Sequence, residues 1–167
     1  MVGALHRASE WVNERLSGSP PLGVGDLSRA RGGPISPYSR SHQSGRDSDL
    51  AFYQLDMKGH PVPADDLVRF NGQGHSRGGD RVFDVRRNWL LVQALLEDPA
   101  IDIEWIFISE PLRKTLLAEA DREGASVALS VRAARILHQP SDAPAHDDHL
   151  HLRLRCTSEE VSAGCRG

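Results

Sequence analysis

The chain has 167 residues, 39% of them hydrophobic and 26% charged, which is enough for one globular domain with a buried core. Twenty basic and 23 acidic side chains give a formal net charge of −3, so no basic surplus exists to drive nucleic-acid binding. No apolar run reaches the roughly 18 residues of a membrane span. The start, MVGALHRASEW, lacks the pattern of a signal peptide. We therefore expect a protein that stays inside the cell or a shortened or processed form of a longer one.

The first half of the chain predicts one helix, two strands and turn-rich connections. Apolar residues at helical spacing predict a helix over residues 3–16, ended by Gly18 and two prolines. A short strand is predicted near residues 24–27 and a longer one over residues 48–55. Residues 71–80, NGQGHSRGGD, contain four glycines and predict a flexible loop.

The second half predicts three helices around a buried strand. An amphipathic helix begins near Val85, and an apolar strand is predicted over residues 101–108, with Trp89 and Trp105 both assigned to the core. Helices are predicted over residues 111–123, which Gly124 closes, and over residues 127–137. Strands and helices that occupy separate parts of the chain indicate an α+β fold.

The last predicted strand, HLHLRLRC over residues 149–156, alternates without a break. One face carries Leu150, Leu152, Leu154 and Cys156, and the other carries His149, His151, Arg153 and Arg155. Because residues two apart on a strand project from the same face, the two histidines can present imidazoles to one metal ion. By itself this pair is also compatible with two surface histidines that bind nothing.

A second cluster upstream favours the metal site. The segment SHQSGRDSD contains His42, Gly45 and Asp49, and glycine at position 45 can turn the chain where a side chain would clash. The side chains of His42 and Asp49 can then converge on one point. Catalytic zinc sites take three ligands from the protein and keep a fourth position open, so His42, Asp49 and one strand histidine form a suitable set.

Other catalytic motifs do not fit the sequence. The HExxH motif of helix-based zinc proteases is missing, as are the nucleophile elbow, the Walker loop and the dinucleotide-binding motif. The residues His146, Asp147 and Asp148 begin an iron-binding triad of two histidines and one carboxylate, but no well-separated distal histidine follows them.

Taken together, these segments resemble the penicillin-insensitive murein endopeptidases, zinc metallopeptidases of the clan that includes lysostaphin, the D-Ala-D-Ala metallopeptidases and the sonic hedgehog amino-terminal domain. The matching segments lie in the expected order between residues 24 and 156: VGDLSRARGGP, SHQSGRDSDLAFY, FDVRRNWLLVQALL, WIFIS and HDDHLHLRLRC. The resemblance implies a small antiparallel sheet core with flanking helices and long loops. It also implies peptidoglycan as the substrate and the periplasm or cell envelope as the location.

The resemblance further implies the roles of individual residues. His42, Asp49 and His151 would be the zinc ligands, His149 the catalytic histidine beside the metal, and His146 a second active-site histidine. The chain would be a single metallopeptidase domain, residues 1–167, that looks shortened at its start. Ser39 and Arg40 stand where relatives are expected to have a further histidine.

The residues around the histidines leave some roles open. Asp147 and Asp148 fit either acceptors that orient imidazoles or solvated turn residues. Arg153 and Arg155 fit either a contact with a carboxylate of the substrate or a solvated pair. Which of the two catalytic histidines acts as the base is not decided.

The two cysteines, Cys156 and Cys165, fit either a small disulfide loop or two free thiols on their spacing alone. A location in the envelope favours the disulfide. A structural zinc site at these cysteines is not expected, because no further Cys or His stands at zinc-finger spacing.

Three functions are compatible with the ligand set. The first is a zinc-dependent endopeptidase that hydrolyses D-amino-acid-containing cross-links of peptidoglycan. The second is another peptidoglycan amidase of the same clan, a D,D-carboxypeptidase or a phage-type lysin. The third is a zinc-binding module without catalysis. The presence of His146 and His149 beside the ligands favours an enzyme over such a module.

Overall fold

The computed structural model describes residues 1–28, 32–33, 42–141, 143–162 and 165. Its elements in chain order are α1 Val2–Arg15, β1 Val24–Leu27, β2 Asp47–Ala51, β3 Gln54–Leu55, β4 Pro61–Val62, β5 Val82–Phe83, α2 Val85–Glu97, β6 Ile103–Phe107, α3 Glu110–Arg122, α4 Val127–Ile136, β7 Leu137–His138, β8 His149–Leu154 and α5 Ser158–Ser162. No helix among these residues is long and apolar enough to cross a membrane.

The main sheet has five strands in the order β1-β2-β8-β6-β7. All neighbours are antiparallel except β6 and β7, which pair in parallel. A smaller sheet contains three strands in the order β4-β3-β5. This architecture confirms the α+β class and the small, largely antiparallel sheet core with flanking helices.

One face of the main sheet is buried against the helices. The alternation in β8 places Leu150, Leu152 and Leu154 in the core, where all three are buried, as predicted. Helix α2 contributes buried side chains to the same core, including the fully buried Trp89. Because this face of the sheet is held by the core, the histidines of β8 must lie on the opposite face.

The predicted strand over residues 48–55 is wrong in its extent. It is divided into β2 and β3, which belong to different sheets. The break falls at Phe52 and Tyr53, which are both buried although they are adjacent. The side chain of Asn88 on α2 accepts from the backbone N–H of Tyr53 at 3.0 Å and donates to its carbonyl at 2.7 Å. A helix side chain therefore replaces the strand partner at this point.

The assignment of Trp105 to the core is also wrong. Ile103 and Ile106 are both buried, and the register of β6 against β8 shifts between Ile103 and Trp105. Regular alternation places Trp105, which is only half-buried, on the same face as Phe107, and the irregularity returns Ile103 to the core face that Ile106 occupies. The two rings stack with centroids 6.5 Å apart beside His138.

The C-terminal segment corrects one prediction and confirms another. Strand β8 ends at Leu154, so Cys156 lies beyond the strand and is half-buried instead of facing the core. Cys156 and Cys165 form a disulfide, which was expected on condition that the protein acts in the envelope. The bond holds the tail beside α5.

Candidate metal centre

Strands β2 and β8 bring the two predicted clusters together. In their antiparallel register Asp49 lies opposite His151, and Asp47 lies opposite Arg153. Residues opposite each other on neighbouring strands project from the same face. The carboxylates of β2 and the histidines of β8 therefore share the face that the helices leave uncovered.

A tight turn brings His42 to the same point. Gly45 has a φ of +76°, a left-handed conformation that a residue with a Cβ adopts only at a cost, as the sequence predicted. The hydroxyl of Ser28 accepts from the N–H of Gly45 at 2.6 Å and fixes the turn. His42, buried just before the turn, places its Nε2 3.2 Å from Oδ1 of Asp49.

Oδ1 of Asp49 is the point on which three imidazoles converge. Besides Nε2 of His42, it lies 3.0 Å from Nδ1 of His151 and 3.3 Å from Nε2 of His149. The atom is buried, yet within the described residues no donor bonds it with hydrogen-bond geometry. Burial by itself raises the pKa of Asp49, but the three imidazoles outweigh it and hold the pKa well below its usual range.

This donor set fits a divalent transition metal. The potential ligand atoms of His42, Asp49 and His151 all lie within 4.8 Å of one another, and all three residues are buried. Imidazole nitrogens and a carboxylate oxygen are common ligands of zinc. A buried carboxylate oxygen surrounded by nitrogens, without hydrogen bonds, is satisfied when a cation lies between them.

His149 is held beside this point by a carboxylate. Its Nδ1 lies 2.7 Å from Oδ1 of Asp148, which leaves Nε2 directed toward Asp49. Burial lowers the pKa of His149, but Asp148 and Asp49 together raise it to about 9. Of the two aspartates for which two roles were open, Asp148 orients an imidazole. The Asp147 carboxylate instead lies 3.8 Å from Arg69 on the surface.

His146 enters the site from an unusual backbone conformation. Its φ is +41°, and it is the one non-glycine residue with positive φ in the described part of the chain. Ser109 donates its N–H to the carbonyl of His146 at 3.0 Å and anchors this turn. The imidazole lies 5.0 Å from that of His149 and 5.4 Å from that of His151, measured between centroids. Burial and the two neighbouring histidines lower the pKa of His146 to about 4.

Comparison with known families matches residues 1–166 to the family described as penicillin-insensitive murein endopeptidase. The chain belongs to this family. The resemblance drawn from the sequence motifs is thereby confirmed, since the match covers both candidate metal-binding clusters and all the elements between them.

Curated members of the penicillin-insensitive murein endopeptidase family are similar along almost the whole chain. The protein of that name from Pectobacterium atrosepticum is 30% identical over 172 residues, which is 96% of this chain and 53% of the relative. Those from Yersinia pestis and Yersinia pseudotuberculosis are 27% identical over 96% of this chain and 54% of their own length. The chain thus spans about half the length of the curated relatives it matches. No solved structure matches it.

In this member of the family, sequence reasoning missed one residue of the site. Asp47 is buried, and its Oδ1 lies 2.8 Å from Nε2 of His151 and accepts from Nε of Arg153 at 2.8 Å. Burial raises the pKa of Asp47, but these two partners hold it below its usual value. A signal was present in the sequence, because Asp47 stands two residues before Asp49 and must share its strand face.

The other predicted positions lie at the margin of the site or outside it. Arg153 is directed toward Asp47, while Arg155 lies beyond the end of β8 and pairs with Asp102 at the surface. Ser39 and Arg40, which stand where relatives are expected to have a further histidine, lie outside the described residues. Phe107 adds an apolar wall, with its ring centroid 5.4 Å from that of His151.

Proposed function

We propose that the protein is a zinc-dependent endopeptidase that hydrolyses D-amino-acid-containing peptide cross-links of peptidoglycan. The observation that carries this proposal is the convergence of three imidazoles on the buried Oδ1 of Asp49 in a member of the murein endopeptidase family. Two further features support it. His146 lies beside the cluster, and the relatives are named for murein endopeptidase activity.

Zinc would be held by His42, Asp49 and His151, with the fourth position left for water or substrate. When bound in such a site, zinc lowers the pKa of water to about 7 and polarises the carbonyl under attack. The near-complete burial of the three ligand side chains excludes bulk water from the back of the site. Access is then from the open face of the sheet.

His149 and His146 would handle protons and developing charge. Asp148 holds Nδ1 of His149, so Nε2 is the atom that faces the reacting groups. An imidazole in this position can take a proton from the attacking water or donate a hydrogen bond to the oxyanion. His146, held by its anchored backbone turn, can serve the leaving amine. Two histidines thus replace the glutamate that other zinc peptidases use as the base.

The proposed location is the periplasm or another part of the cell envelope, where the substrate is found. The disulfide between Cys156 and Cys165 supports an oxidising compartment. We further propose that residues 1–167 act as one domain, because α1 packs into the same core as the sheet and the other long helices.

The test is a comparison of purified protein on cross-linked and uncross-linked muropeptides, with added zinc and with EDTA. We expect zinc-dependent conversion of cross-linked dimers to monomers and loss of activity in EDTA. Release of terminal D-alanine from monomers alone would instead indicate a D,D-carboxypeptidase. Cleavage of a different bond in intact cell walls would indicate a lysin-type amidase. Tight zinc binding without any turnover would indicate a non-catalytic module, and full activity without metal would contradict the proposal.

A further inference from the structure

We propose that Asp47 is a positioning residue for the metal centre, which selects the nitrogen of His151 that binds the metal. The inference rests on the proposed function, since it takes His151 as a zinc ligand. Pairing of β2 with β8 does not by itself require a buried carboxylate at position 47, and the proposal gives this carboxylate a function.

The two ring nitrogens of His151 face two different carboxylates. Nδ1 lies 3.0 Å from Oδ1 of Asp49, at the point where the ligand atoms converge. Nε2 lies 2.8 Å from Oδ1 of Asp47, on the other side of the ring. The side chain of His151 is 7% exposed and that of Asp47 is 4% exposed, so water cannot replace either contact.

The hydrogen bond with Asp47 determines which tautomer of His151 is stable. A neutral imidazole carries one proton, and an ionised carboxylate accepts a hydrogen bond but cannot donate one. The contact with Asp47 has hydrogen-bond geometry, whereas Oδ1 of Asp49 accepts no hydrogen bond from a described residue. The proton therefore lies on Nε2, and the lone pair of Nδ1 is free for a metal ion. A hydrogen bond from the second ring nitrogen to a carboxylate also raises the basicity of a ligand histidine and fixes its orientation.

Arg153 keeps Asp47 in the required position. Its Nε donates to the same Oδ1 at 2.8 Å, and its guanidinium carbon lies 5.3 Å from the centre of the Phe107 ring. The β2–β8 register sets Asp47 opposite Arg153 and Asp49 opposite His151. One pair of strands thus supplies the ligand, the carboxylate that orients it and the cation that holds this carboxylate.

A purely structural role for Asp47 would be the ion pair with Arg153 that ties β2 to β8. The two roles predict different results for Asp47→Asn. If Asp47 orients His151, the zinc dissociation constant, measured by competition with a chromophoric chelator, should rise about 10–100-fold. If Asp47 only ties the strands, the variant should lose thermal stability in the metal-free state and bind zinc as tightly as the wild type.

Two control variants separate these effects. Asp102→Asn removes an aspartate that pairs with Arg155 at the surface, and zinc affinity should not change. Arg153→Gln breaks the ion pair but leaves the contact between Asp47 and His151, so its loss of zinc affinity should be smaller than that of Asp47→Asn. Equal affinity of the wild type and Asp47→Asn would overturn the proposal.

A measurement on the wild type keeps the proposal testable if Asp47→Asn does not fold. Long-range proton–nitrogen NMR spectra of the zinc-loaded protein should show His151 protonated at Nε2 and bound through Nδ1. A proton on Nδ1 would overturn the proposal. Failure of the proposed function has a different signature, because the wild type would then bind no zinc or would bind it equally well after His151→Ala.

Discussion

At the residue scale, the neighbours of each imidazole distinguish the two histidines of β8. His151 is held between two carboxylates of β2, with Nδ1 at the convergence point and Nε2 on Asp47. His149 is held by Asp148, its neighbour in sequence, and lies slightly farther from Asp49. Although the two histidines share one strand face, these contacts support the proposal that His151 is a ligand and that His149 acts on the reacting groups.

Single substitutions should separate zinc binding from turnover. His151→Ala and Asp49→Ala each remove one of the three proposed protein ligands, so zinc content should fall sharply and activity with it. His149→Ala leaves the three ligands in place, so zinc should remain while hydrolysis falls about 10²–10⁴-fold, the usual contribution of a general acid–base group. His146→Ala should behave more like His149→Ala.

The zinc content and the rate of muropeptide turnover are measured for each variant. Loss of zinc from His149→Ala with retention in His151→Ala would mean that the two roles are reversed. Unchanged turnover in both variants would place the chemistry elsewhere in the molecule.

At the element scale, β8 uses its two faces for two purposes. Leu150 and Leu152 are fully buried against the helices, and His149 and His151 face the candidate metal centre. A strand fixed by its apolar face cannot slip by one residue, since this would move every leucine to the open face. The packing of the leucines therefore aligns the histidines with β2.

Shortening a core side chain of β8 should mainly lower the free energy of unfolding and should affect metal affinity less. We expect Leu152→Ala to lower the free energy of unfolding by about 2–5 kcal/mol, the range for a large-to-small change in a core. Urea unfolding measures this loss, and Val131→Ala, at an exposed position of α4, should change stability by no more than about 0.5 kcal/mol. A loss for Leu152→Ala no larger than for Val131→Ala would contradict the role of this face.

The packing of α1 on α2 includes an ion pair whose stabilisation depends on pH. The guanidinium of Arg7 donates to Oδ2 of Asp98, the C-cap residue of α2, at 2.6 Å and 3.0 Å. Burial raises the pKa of Asp98, but the N–H of Ala100 and the charge of Arg7 outweigh it and lower the pKa. A carboxylate with a lowered pKa stabilises the folded state above its unfolded pKa of about 3.9, and this contribution is lost as the pH falls.

Asp98→Asn should therefore be less stable than the wild type at pH 7, and the difference should shrink as the pH falls below about 4. Arg7→Gln should show the same direction of change, because it removes the other half of the pair. Urea unfolding at a series of pH values measures both differences. A difference that does not vary with pH would show that the charge of Asp98 is not the cause.

At the scale of the whole molecule, the site depends on strands from distant parts of the chain. His151 and Asp47 are 104 positions apart in sequence, yet they lie on neighbouring strands. The C-terminal tail packs near the same region, because Glu160 on α5 pairs with Arg46 immediately before β2. The disulfide between Cys156 and Cys165 closes this tail around α5.

Removal of the disulfide should lower the stability of the protein. Replacing both cysteines with serine should reduce the free energy of unfolding by about 2–3 kcal/mol, the chain-entropy value for a loop of this size. Chemical unfolding with and without a reductant measures this effect. The reductant should destabilise the wild type and leave the double serine variant unchanged. Two titratable thiols in protein folded under oxidising conditions would contradict the bond.

Local periodicity in the sequence was sufficient for most of the fold. The helical spacing around Trp89 predicted α2, and the unbroken alternation after position 149 predicted β8 with its leucines in the core. Gly45 was correctly placed in a turn, where the structure gives it a positive φ. These features follow from the geometry of one segment, which its own residues determine.

Only the tertiary structure decided features that depend on contacts between distant segments. The backbone of Tyr53 bonds to Asn88 on α2, which ends β2 before the predicted limit. The irregular pairing of β6 with β8 brings Ile103 to the core face beside Ile106, while Trp105 stays on the opposite face with Phe107. The register between β2 and β8 brings Asp47 to His151, and it arises from the burial of leucines on the opposite face. Such a register is determined by packing across the sheet, so the pattern of one strand alone does not contain it.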